Sequence, residues 1–243
     1  MHRMLGGASI GRAGLQDILQ QRGLVASSLA LIVHLVGLVG MVFIDLDWFA
    51  SMTPINLLLM SLLLIWTQGP RGIRFYVFMA IAFVTGMTSE MIGVNSGRLF
   101  GSYVYGDVMG LKLLGVPLVI GINWFVVMLG AASTMEWISR KFFRMQASAG
   151  TFQTLVSGTV IWIGAALLAV LFDWVMEPAA IRLGFWAWAG NGDVPFYNYA
   201  CWFLVSMFLL LVLRLLKIST ANPFSIHLFL IQLAFFIMIR VLV

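Results

Sequence analysis

Two carboxylic acids stand inside long apolar runs: Glu90 in GMTSEMIGV and Asp173 in LAVLFDWVM. An ionisable side chain within a membrane span is costly and by default marks a functional site. A facing pair of buried acids can hold one proton donor and one ionised base at neutral pH. Glu90 and Asp173 are therefore the candidate catalytic residues for general acid–base chemistry. The competing reading is structural, with each acid bonded to a loop amide or paired with Arg98 or Arg182. Asp173-x-x-x-Glu177 places two carboxylates on one helical face, a spacing that could hold magnesium against a diphosphate. There is one such pair, however, and few Lys or Arg lie nearby to clamp phosphates. Pro178 is expected to end the helix at this point and leave Glu177 at the interface. The aromatics Tyr103, Tyr105, Trp124, Trp186, Trp188 and Trp202 fit an interfacial belt or a pocket that shields a cation.

The elements that must position these groups follow from composition. The 243-residue chain is 62% hydrophobic and 9% charged, whereas a soluble domain is roughly a quarter charged. The expected fold is all-α, a polytopic integral membrane bundle of about seven helices in the lipid bilayer. The apolar runs cover 24–44, 48–67, 75–94, 117–138, 151–177, 197–216 and 223–243, behind a basic cytoplasmic segment at 1–23. Residues 24–243 read as a single transmembrane domain. No alternating pattern suggests strands. The net charge of +5 lies at helix ends, so no nucleic-acid partner is expected. Arg3, Arg12, Arg22, Arg71, Arg74, Arg140, Lys141, Arg144, Arg214 and Lys217 fall on one side. Arg98, Lys112, Arg182 and Arg240 fall on the other. The positive-inside rule then puts the N-terminus in the cytoplasm and the C-terminus outside, in the cell (inner) membrane. Glu90, Asn123, Asp173 and Asn198 converge in the outer half.

Other chemistries lose ground on the same inventory. Lys112, Lys141 and Lys217 lie in loops or at a span end, which excludes a retinal Schiff base. His34 and His227 read as packing or hydrogen-bonding residues, and with His2 in the tail they form no credible metal triad. Cys201 is the single cysteine, so there is no internal disulfide. Glu136 and Arg140 form an ordinary i,i+4 pair.

An internal echo runs through the candidate residues. Glu90 is followed by Tyr103-x-Tyr105, Val116-Pro117, Asn123 and Trp124. Asp173 is followed by Trp186-x-Trp188, Val194-Pro195, Asn198 and Trp202. This order suggests a parallel repeat, spans 3–4 against spans 5–6, about a pseudo-axis along the membrane normal.

The runs SEMIGVNSGRLFGSYVYGDVMGLKLLGVPLVIGINW and FDWVMEPAAIRLGFWAWAGNGDVPFYNYACW resemble the two signatures of a membrane carotenoid biosynthesis family that includes the CruF-type carotenoid 1,2-hydratases. The resemblance covers 86–124 and 172–202. It implies addition of water to the terminal 1,2 double bond of an acyclic carotenoid end group, giving a tertiary alcohol. Substrates of such a family include gamma-carotene, lycopene and longer bacterioruberin precursors, and other carotenoid-pathway enzymes are possible partners. On this view Glu90 and Asp173 act as acid and base, and Asn123 and Asn198 position water. Glu177 and the Tyr and Trp residues line the substrate pocket, and no cofactor or metal is required. The remaining alternatives are a metal-dependent prenyl or lipid transferase and a non-enzymatic carotenoid- or lipid-binding membrane protein.

Overall fold

Long runs of Leu, Ile, Val, Phe and Ala, broken by glycine- and proline-rich turns, fold into eight α-helices among the described residues. A computed structural model describes residues 12–69, 71–142 and 151–243. The extreme N-terminus with His2 and Arg3, Pro70, and the connection 143–150 with Arg144 lie outside the described residues. The helices are α1 Arg12–Phe43, α2 Leu46–Ser51, α3 Thr53–Thr67, α4 Ile73–Ser96, α5 Leu118–Phe142, α6 Thr151–Arg182, α7 Phe196–Leu215 and α8 Pro223–Leu242.

Six of these helices are long and apolar enough to cross a membrane. The expected second span is the exception. Asp45 caps α2 by accepting from the Trp48 amide at 2.9 Å. Pro54 then sits in the first turn of α3, where its missing N–H cannot bond the Ala50 carbonyl and a continuous helix is interrupted. The stretch is split, and the 15 residues of α3 rise only about 22 Å. The first span differs in the opposite sense. Asp17 to Gln21 lack helix breakers, and α1 runs back to Arg12 without a boundary at residue 23.

Proline acts differently in α6. Pro178 lies inside the helix, which continues to Arg182. The ring removes one bond to the Trp174 carbonyl, but the turns on either side are held by packing, and Ala179 and Ala180 are fully buried. Glu177 therefore stays in helical phase with Asp173 instead of lying at a frayed end.

The core sits around α5, whose small residues admit neighbours closely. Helices α4, α6 and α8 pack against it, with α3 and α7 completing the shell. Helix α4 also meets α7, and α6 meets α7, so α4 to α7 enclose a common space. The lipid-facing surface is apolar, with Ile32, Leu62, Val84, Leu167 and Leu204 exposed.

Contrary to the expectation of no strands, the loops that follow α4 and α6 contain four short ones. They are β1 Tyr103–Tyr105, β2 Lys112–Leu113, β3 Val116–Pro117 and β4 Trp186–Trp188. Strands β1 and β4 pair antiparallel, Tyr103 opposite Trp188, Val104 opposite Ala187 and Tyr105 opposite Trp186. The β2–β3 pair is a local hairpin. Three residues are too few for the alternating pattern to register, and the partner strand comes from a different loop.

Candidate active site: three buried carboxyl groups beneath a two-stranded ribbon

A three-residue strand sends its first and third side chains to one face. In β1 these are Tyr103 and Tyr105, both buried, with Val104 turned out; in β4 they are Trp186 and Trp188, with Ala187 turned out. The ribbon thus lowers four aromatic side chains, each with a polar hydrogen, toward the ends of α4 and α6. Its edges are fastened by Gly106 N–H to Phe185 C=O and Ala189 N–H to Ser102 C=O, both 2.9 Å.

Beneath the tyrosines is Glu90, six residues before the end of α4 and so about 9 Å down the helix. Its Oε2 accepts from the Tyr103 hydroxyl at 2.5 Å and from the Tyr105 hydroxyl at 2.8 Å. Its Oε1 accepts from Trp124 Nε1 at 3.1 Å. Two glycines on α4 make this possible. A Cβ at Gly86 would lie 2.5 Å from Trp124 Cδ1, and one at Gly93 would lie 2.8 Å from the Tyr103 hydroxyl. Burial and the charge of Glu90 push the Tyr103 and Tyr105 hydroxyls well above the usual phenol range, so both remain donors.

Beneath the tryptophans is Glu177. Its Oε2 accepts from Trp186 Nε1 at 2.9 Å and Trp188 Nε1 at 3.0 Å. The Asn198 amide, in the first turn of α7, donates to Asp173 Oδ2 at 2.7 Å and reaches Glu177 Oε1 at 3.4 Å. Asp173 Oδ1 is buried without a hydrogen-bond partner. Among the described residues it is the one carboxyl oxygen in the cluster with no donor aimed at it.

Glu90, Asp173, Glu177, both aromatic pairs, Asn198 and Trp202 line one cavity of about 20 Å³. That is room for a single water. Trp124 stands behind Trp202, the two indoles stacked at 4.1 Å and 19°. Asn123 does not join them. It is one helical step, about 100°, around α5 from Trp124, half-buried, and outside the cavity lining. Glu177, expected at the interface, is 2% exposed. Phe100 and Met176 also line the cavity, and as plain apolar residues they gave no signal in the sequence. Phe100 is buried with φ of +63°, a conformation rare for a bulky side chain and concentrated at functional sites.

Among the described residues no arginine pairs with the cluster. Arg98 is exposed, and Arg182 Nη1 donates to the Arg240 carbonyl at 2.6 Å. Among the described residues the ion pairs are Lys112–Asp107 and the i,i+4 pair Arg140–Glu136. His34 and His227 are hydrogen-bonded, to the Ala30 carbonyl and to the Ser27 hydroxyl. A magnesium site on Asp173 and Glu177 would have to be built on one oxygen from each, since N–H donors hold Glu177 Oε2 and Asp173 Oδ2, and among the described residues no group of three or more His, Cys, Asp or Glu side chains is placed to share a metal ion. The geometry offers instead one open carboxyl oxygen, two carboxyls held by donors, and a wall of aromatic faces around a water-sized space.

The sequence matches the family described as carotenoid biosynthesis protein over residues 51–243. The chain belongs to that family. The match takes in α3 to α8 and every residue of the cavity. A segment of 118 residues, 47% of the chain, is 30% identical to the bisanhydrobacterioruberin hydratase of Haloarcula japonica. That segment covers 36% of the relative, so the alignment spans about a third of its length. No solved structure matches the chain.

Proposed function

We propose that the protein is a carotenoid hydratase that adds water across the terminal 1,2 double bond of an acyclic end group. The observation that carries this reading is Asp173 Oδ1, an unpartnered carboxyl oxygen facing a cavity of one-water size. Asp173 supplies the proton. With its hydrogen on Oδ1, it has no competing acceptor among the described residues and can protonate the alkene CH carbon. The adjoining carbon becomes a tertiary cation. Trp186, Trp188, Trp202, Tyr103 and Tyr105 present ring faces and edges around it, and such faces attract cations. The negative charge on Glu90, fixed by three donors, offsets the developing positive charge without a step of its own.

The cavity water attacks the cation and forms the C–O bond. Its released proton goes to Glu177 Oε1, the oxygen held only by the long 3.4 Å contact from Asn198. Glu177 lies one helical turn from Asp173, and return of this proton to Asp173 resets the site. One alkene and one water give one tertiary alcohol, with no change of oxidation state overall. The cavity is the size of the nucleophile, so binding of the end group must widen it. This reading also puts the ribbon on the outer side of the cell membrane, from the count of Lys and Arg on each side.

The test is expression in hosts that accumulate lycopene or gamma-carotene, with pigments resolved by chromatography and mass spectrometry. The expected product is more polar, heavier by one water, and unchanged in chromophore. Unaltered pigment in both hosts, with the protein present in the membrane, would defeat this assignment. A non-enzymatic carotenoid-binding protein would instead retain its effect in the Asp173→Asn variant.

A further inference from the structure

A second cavity, of about 250 Å³, lies between α1, α2, α3 and α8. It is separated from the carboxyl cluster by the turn at Phe185–Trp186, since Phe185 lines this cavity and Trp186 lines the other. Its wall is largely apolar, with Phe49, Phe235 and Phe236 among the lining residues, and its rim includes the exposed Val36 and Trp48. Four polar side chains, His34, Thr53, Asn56 and Gln232, and the indole of Trp48 interrupt that wall.

His34, Asn56 and Gln232 each have unspent hydrogen-bonding capacity. His34 Nδ1 lies 2.7 Å from the Ala30 carbonyl. A carbonyl can only accept, so Nδ1 carries the hydrogen and Nε2 of the neutral ring is an acceptor. Asn56 Oδ1 is buried without a partner. Gln232 is 4% exposed, and its amide has no hydrogen-bond partner among the described residues. Leaving buried acceptors unpaired is costly, so a pure hydrocarbon is a poor occupant. Water alone is also a poor one. A cavity of this size takes several waters, each needing roughly three partners, and the wall offers four polar side chains and one indole.

We propose that this cavity binds the hydroxyl-bearing end of a long apolar lipid, with the hydroxyl donating to one of these acceptors and the tail leaving past Val36 and Trp48. The volume is below the roughly 300–1,000 Å³ of pockets that enclose a whole drug-sized ligand, which suits one end of a longer molecule. The site is distinct from the carboxyl cluster and does not rest on the hydratase reading.

The experiment uses the full-length protein in lipid nanodiscs and a phytol analogue with a photoactivatable diazirine near its hydroxyl. Crosslinked peptides are mapped by mass spectrometry. Labelling is expected on α1, α2 and α8 near Phe49, Gly37 and Phe235, to be competed by phytol and not by phytane, its hydrocarbon counterpart. Competition by octadecanol as well would keep the hydroxyl as the recognised group and show that chain branching is not read. In the Asn56→Leu/Gln232→Leu double variant, phytol should compete about tenfold less well or worse, whereas Asp173→Asn should leave labelling unchanged. The proposal is overturned if phytane competes as well as phytol on the unaltered protein. It is equally overturned if the label spreads evenly over the lipid-facing helices, or if the correctly folded double variant behaves like the parent.

Discussion

Glu90 and Glu177 receive hydrogen bonds on both carboxyl oxygens, whereas Asp173 receives one on Oδ2 and none on Oδ1. That asymmetry separates the effects expected of conservative changes. Under the proposed mechanism Asp173→Asn removes the transferable proton and should lower turnover by about 10²–10⁴-fold, the usual cost of a lost general acid, with the protein still assembled. Tyr103→Phe deletes one of three donors to Glu90 and should cost far less, about tenfold. Both are read as hydrated carotenoid formed per unit of membrane protein. Equal losses in the two variants would argue against distinct roles. Glu90 and Asp173 were legible in the sequence because an acid inside an apolar run is conspicuous. The burial of Glu177 was not, because Pro178 announces a helix end that packing overrides.

At the scale of elements, the ribbon and the glycine gaps decide whether the site exists. A Cβ at Gly106 would lie 2.1 Å from the Gly184 carbonyl oxygen, and backbone cannot yield there without moving β1 from β4. Gly106→Ala should abolish activity while circular dichroism shows the helices intact. Gly86→Ala should push Trp124 off α4 and break both its bond to Glu90 and its stack on Trp202. Quenching or shift of tryptophan emission against the parent would report it, and unchanged emission would contradict the packing described. The positions of the long helices could be read from apolar runs, since hydrophobic length alone dictates a span. The interruption at Met52–Pro54 and the β1–β4 pairing could not, because each depends on which distant segment is available to pack. The echo of aromatic pairs did point to the two loops that meet. In that ribbon Tyr103 stands opposite Trp188 and Tyr105 opposite Trp186.

For the molecule as a whole, the distribution of Lys and Arg sets the proposed orientation, and this can be tested without any substrate. Cys201, the single native cysteine, is buried, so introduced thiols dominate labelling. Asp107→Cys and Asn191→Cys, in the loops that carry the ribbon, should react with a membrane-impermeant maleimide in intact cells. Lys217→Cys, at the opposite end of α7, should react only after permeabilisation. The reverse pattern would invert the topology and put the carboxyl cluster in the inner half of the membrane.

The hydrogen bonds to the two glutamates also bear on how the protein is made. Every donor to Glu90 comes later in the chain, at Tyr103, Tyr105 and Trp124. Every donor to Glu177 likewise follows it, at Trp186, Trp188 and Asn198. During synthesis each acid therefore reaches the translocon before the groups that will satisfy it exist. A charged residue at a helix centre costs about 2.5–3.5 kcal/mol to insert on translocon scales, with less nearer the interface. Helices α4 and α6 should accordingly commit to the bilayer as hairpins with α5 and α7. A nascent chain arrested soon after Ser96 should be more easily extracted from membranes than one that extends through α5.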